Sequence, residues 1–116
     1  MKLALRRSQA DVKGMFGGHK GVNFELYARG IFTPEEERLI QRYGMDGLRL
    51  HEWVVDKKNE TTRDITVRVL RSGTTITLAN LGELMEAEEQ IKQGCATLKT
   101  YLETAATFGG EEIIDI

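Results

Sequence analysis

The 116 residues include one proline, one cysteine, one tryptophan and two histidines, and each scarcity excludes something. A single cysteine, Cys95, rules out an intrachain disulfide, so packing must supply the stability. His19 and His51 form no metal-binding spacing with each other or with Cys95, so no metal and no cofactor is expected. The lone proline, Pro34, marks no linker, and there are no internal repeats or low-complexity tracts. Residues 1–116 are therefore read as one domain. No apolar run reaches the length of a membrane span, and the segment Met1–Arg7 lacks the apolar centre of a signal peptide. A cytoplasmic protein with no membrane contact is expected. Catalysis has little to stand on. Ser8 and Ser72 lie in no nucleophile motif, and the clustered carboxylates Glu35–Glu37 and Glu86–Glu89 are explained by helix starts and solvated faces. The chain is read as non-enzymatic.

What is present is a strong local grammar. Hydrophobic residues make up 41 % of the chain, enough for a core without staples. Lys2–Arg7 and Gly21–Arg29 alternate apolar and polar residues as half-buried strands do, the second placing Val22, Phe24, Leu26 and Ala28 on one face. Between them, Ser8–Gly21 has no period and reads as a glycine-rich connection of a hairpin. Thr33-Pro34-Glu35-Glu36 is a capping box with proline at the first helical position, and Gly44 stops the helix it starts. Gly47–Val55 reads as a strand whose two faces mix, a pattern that a bulge or two-sided burial would produce. Asp64–Leu70 alternates again, with Ile65, Val67 and Val69 on one side. Arg71-Ser72-Gly73 then reads as a hairpin turn into a further strand, Thr74–Leu78.

Asn80-Leu81-Gly82-Glu83 opens a long helix extending to Phe108, ended by Gly109-Gly110. Leu84, Glu88, Ile91, Cys95, Leu98, Leu102 and Ala105 fall at alternating spacings of four and three, a heptad seam with one charged defect. Gly94 in mid-helix admits two readings, close approach of another backbone or a tolerated exposed glycine. Residues 109–116 are read as a tail whose last part forms a short strand. The predicted order is ββ-α-βββ-α-β, an α+β fold with an antiparallel sheet of about five to six strands, one short helix and one long helix.

Charge is unevenly placed. Residues 1–32 carry +4, residues 33–78 are neutral and residues 79–116 carry −6, so the two ends should attract within or between chains. Three functional readings follow. The first is a protein-interaction module that pairs with another copy, or with another protein, through Ile91, Cys95, Leu98 and Leu102 of the seam and Ile113, Ile114 and Ile116 of the tail. The second is a small-molecule-binding protein that cradles a phosphate or nucleotide-type anion with Lys13, Gly17, Gly18, His19 and Lys20. The glycine spacing there matches neither a P-loop nor a dinucleotide fingerprint. The third is nucleic-acid binding by Lys2, Arg6, Arg7, Lys13, Lys20 and Arg29, with Phe16 and Tyr27 as stacking groups.

Overall fold

The computed structural model describes residues 1–13, 20–56 and 61–116; for 10–13, 20–22, 51–56 and 61–64 it describes the backbone alone. Strand β1 (Lys2–Lys13) and strand β2 (Lys20–Ile31) pair antiparallel along their whole lengths, from Lys2 opposite Ile31 to Lys13 opposite Lys20. The hairpin is as expected. The first strand is longer than its alternation suggested, because Ser8–Lys13 continues the ladder although its side chains follow no apolar period. Leu26 and Ala28 are fully buried, as the predicted face of β2 requires.

Helix α1 (Pro34–Arg42) starts as read. The Glu36 N–H donates to Thr33 Oγ1 at 3.1 Å, and the Thr33 N–H donates to Glu36 Oε1 at 2.9 Å. Gly44 takes the left-handed conformation (φ +66°) and leads into a 3-10 turn, Met45–Gly47. Strand β3 (Arg49–Asp56) and strand β4 (Thr61–Thr66) form a separate two-stranded sheet. Its register shifts between Arg49 and His51 and again between Val54 and Asp56. Those irregularities account for the mixed faces of the third strand.

The segment after Thr66 corrects the sequence reading. It is helix α2 (Val67–Ser72), not a strand running to Leu70. Thr66 Oγ1 accepts from the Val69 N–H at 3.4 Å and caps the turn. Val67 and Leu70, three residues apart, are fully buried, whereas Val69 is 38 % exposed. The alternation Ile65-Val67-Val69 thus spans two elements, and helical i, i+3 spacing takes over at its midpoint. Gly73 does need a positive φ (+86°), but as the stop of α2 rather than in a hairpin. A Cβ there would also lie 2.5 Å from Tyr27 Oη. Strand β5 (Thr74–Leu78) forms as read but pairs with β2, from Phe24 opposite Leu78 to Ala28 opposite Thr74, instead of returning along β4. The sheets are thus β1-β2-β5 and β3-β4, a mixed α+β architecture with three helices where two were expected.

Helix α3 (Leu81–Ala106) binds these parts together. Asn80 Oδ1 accepts from the Glu83 N–H at 2.8 Å, and the Glu83 carboxylate reaches back to the Ala79 N–H at 3.2 Å, one residue beyond the usual box. Its 26 residues span about 39 Å at 1.5 Å per residue, longer than one sheet can cover. The fold meets this length with two cores in series. Leu84, Ala87, Ile91 and Cys95 pack with Leu26, Ala28, Ile76, Leu78, Ile65 and Leu70. Further along, Leu98 and Leu102 pack with Ile40 of α1 and Val67 of α2. Leu50 of β3 touches both cores. At Gly94 the β3 backbone comes so near that an added Cβ would sit 2.9 Å from Leu50 Cβ and 3.3 Å from its carbonyl carbon, so close approach is the reason for this glycine. Residues 111–116 carry no regular secondary structure, so the last predicted strand does not form in the single chain. No helix among the described residues is long and apolar enough to cross a membrane.

Candidate functional site

The seam is occupied. Ile91, Cys95, Leu98 and Leu102 are all buried against their own strands and helices, and even the defect, Glu88, is only 6 % exposed. These four residues offer no open surface to a partner. The Glu88 carboxylate is held by Arg7 of β1, whose Nε donates to Oε2 at 2.8 Å while an Nη donates to Oε1. Lys92 stands 3.4 Å from the same carboxylate. Hydrogen bonding from Arg7 keeps the Glu88 pKa below the ordinary carboxylate value, against the opposing pull of burial and with help from the Arg7 and Lys92 charges. The basic start and acidic end of the chain therefore meet inside one molecule at this point. Cys95 is buried in the first core, and that burial pushes its thiol up to about 11.

The remaining sequence candidates separate. Lys13 and Lys20 are register partners at the far end of the β1–β2 ladder. Gly17, Gly18 and His19 lie outside the described residues, as do Gly14 and Phe16. Of the basic N-terminal residues, Arg7 is committed to Glu88 and Arg6 lies 4.7 Å over the Tyr27 ring, which covers one of the two proposed stacking groups. Among the described residues, no group of three or more His, Cys, Asp or Glu could hold a metal ion.

Ile113, Ile114 and Ile116 are 89 %, 67 % and 117 % exposed, and they follow a few residues after Phe108, which lines an apolar groove. There α1, the 3-10 turn and the end of α3 form a groove of about 520 Å³, lined by Tyr43, Met45, Leu48, Tyr101, Ala105 and Phe108 with Gly44, Gly47 and Thr104. Local rules build each wall. The Tyr43 N–H closes α1 on Leu39 O at 3.0 Å, the left-handed Gly44 reverses the chain, and the Leu48 N–H donates to Met45 O at 2.9 Å. Arg71 of α2 clamps the turn by pairing with Asp46 and, on α1, with Glu37. Burial alone would lower the Arg71 pKa, but the hydrogen bonds and charges of those two carboxylates outweigh it and leave it raised. On α3, the Thr104 hydroxyl donates to its own backbone at Thr100 O, 3.0 Å away, so it is not free to donate into the groove.

Tyr43 is 39 % exposed and meets Phe108 edge-to-face, with ring centroids 5.7 Å apart. Tyr101 is 46 % and Phe108 72 % exposed. Tyr101, Thr104 and Phe108 lie at helical spacing beside the end of the seam at Ala105, a signal present in the sequence that the seam overshadowed. Beyond the Tyr43–Phe108 pair, a smaller depression is walled by Arg38 and Arg42 with Glu35, Leu39, Ala105 and Ala106. The Arg42 guanidinium lies 5.5 Å over Tyr43, and neither arginine forms an ion pair among the described residues. This end of the molecule thus combines an apolar groove, three accessible aromatic rings and a cationic margin. No family model, curated protein or solved structure matches the chain, so the reading of this surface rests on its own chemistry.

Proposed function

We propose that this chain is a protein-association module that acts by binding, without a cofactor, and that it pairs with a second copy of itself through the α1–α3 end. The observation that carries the reading is the concentration of exposed apolar side chains there. Tyr43, Tyr101, Phe108, Ile113, Ile114 and Ile116 are all open to solvent, whereas the α3 seam from Leu84 to Leu102 is buried and the other exposed large apolar residues of that helix, Leu81 and Met85, stand at its opposite end. Exposed aromatic and aliphatic groups gathered in one place are costly in water and mark surfaces that become buried on association. This moves the predicted interface away from the seam and onto the helix end and the residues after it. The mass in solution tests it. A pair weighs about 26 kDa, twice the 13.1 kDa chain, and light scattering should show it at tens of micromolar. A single-chain mass across that range refutes it.

A second reading, anion binding at the β1–β2 end, is supported by the register that sets Lys13 opposite Lys20. Like charges at directly opposite register positions are unfavourable by themselves, and a bound anion would offset that cost. Phosphate, polyphosphate and nucleotides should then raise the melting temperature, and Lys13→Ala should abolish the increase. No shift with any of them removes this reading.

A further inference from the structure

We infer that the groove of each chain receives residues 111–116 of the second copy, so that two chains exchange these segments reciprocally. The inference rests on the self-association reading and specifies its mechanism. Groove and segment carry matching chemistry. Ile113, Ile114 and Ile116 are apolar groups lacking cover, and Tyr43, Leu48, Tyr101, Ala105 and Phe108 are an apolar surface lacking an occupant. None of residues 111–116 lines its own chain's groove. Charge agrees as well. Glu111, Glu112 and Asp115 interleave with the isoleucines, and Arg38 and Arg42 stand beside the groove without ion-pair partners among the described residues. Glu35 is the one carboxylate on that margin and sits beside both arginines.

Geometry favours a closed pair over a chain of molecules. Six extended residues reach about 20 Å. Segment and groove share Phe108 as their junction, since Phe108 lines the groove and the segment begins three residues later. A two-fold axis near Phe108 brings each segment to the other chain's groove and uses both sites at once, leaving none open to propagate. Gly109, with φ +96°, and Gly110, whose N–H donates to Thr107 O at 3.2 Å, provide the turn that releases the segment from the helix axis.

Sedimentation of three forms of the 116-residue chain, alone and mixed, tests this between about 5 and about 200 µM. The first is the natural chain. The second carries Ile113→Ser, Ile114→Ser and Ile116→Ser, and the third Tyr101→Ser and Phe108→Ser. All five positions are exposed, and unchanged thermal melts of the variants at low concentration verify that they fold. The natural chain should sediment as a pair, and each variant as a single chain with its dissociation constant raised about 100-fold or more. Mixing the two variants should restore pairing in part, because the isoleucine variant keeps its groove and the aromatic variant keeps its segment. Three results overturn the exchange while leaving self-association standing: the isoleucine variant still pairs, the aromatic variant still pairs, or the mixture of two single-chain variants fails to pair. A natural chain that stays single at every concentration overturns both.

Discussion

Replacing Gly94 by alanine sets two well-known effects against each other. In an exposed helix interior the change is favourable by about 1 kcal/mol, because alanine loses less backbone freedom on folding. Here the new methyl would stand 2.9 Å from Leu50 Cβ and 3.3 Å from the Leu50 carbonyl carbon and oxygen. Ordinary carbon–carbon contact is about 3.5–4.0 Å, so α3 and β3 must move apart by about 0.6 Å or more. No rotamer change helps, since the Leu50 atoms concerned are Cβ and backbone. Retreat would open both cores, because Leu50 packs against each. Overpacking of this kind costs about 1–3 kcal/mol. The expected net effect is a loss of about 1 kcal/mol, which for a chain of this length lowers the melting temperature by about 4 °C. Gly47→Ala is the control, since an added Cβ there meets nothing within 4 Å, and it should leave stability unchanged or raise it by up to about 1 kcal/mol. Thermal and urea unfolding followed by circular dichroism, at one fixed protein concentration, read both variants. A rise in melting temperature for Gly94→Ala would show that β3 does not approach α3 as described and would refute the reasoning.

Other outcomes follow from the same contacts. Thr33→Ala and Asn80→Ala each remove a helix cap and should each cost about 1 kcal/mol in urea unfolding, additively, because the caps lie on different helices. The folded-state pKa of Glu88 lies below its ordinary 4.5, so its contribution is complete above 4.5 and is lost as pH falls through the folded value. Glu88→Gln should therefore flatten the pH dependence of the melting temperature below about pH 4.5, and an unchanged acid profile would mean that Arg7 does not hold this carboxylate. Cys95, with its thiol raised from 9.0 to about 11, should carry about 100-fold less thiolate at pH 8 than a free cysteine. It should react with a thiol reagent over minutes in denaturant but only over many hours in the folded chain.

The sequence by itself determined the features that rest on neighbours along the chain. The Thr33 and Asn80 caps, the start of α1 at Pro34, the stop at Gly44, and the β2 face of Leu26 and Ala28 all formed where they were read, while α3 ends at Ala106 with Thr107 as its C-cap, two residues short of the predicted Phe108. A cap needs only a side-chain oxygen near the free N–H groups of the first turn, and a strand face needs only alternation, so both are written locally. Tertiary structure alone decided what depends on distant partners. The run from Ile65 to Leu70 is equally apolar as strand or helix, and burial of Val67 and Leu70 under α1 and α3 settled it after Thr66. β5 chose β2 over β4 because pairing is won by the strand whose buried face completes the core, and Ile76 and Leu78 complete it beside Leu26 and Ala28. The seam of α3 carried no mark of what would cover it, whether sheet, α1 or a second chain, since spacing specifies a buried stripe but never its partner. Covering that seam left Tyr101, Phe108 and the isoleucines in water at one end of the helix and Leu81 and Met85 at the other, and among the described residues only at the first end does a groove adjoin the exposed side chains.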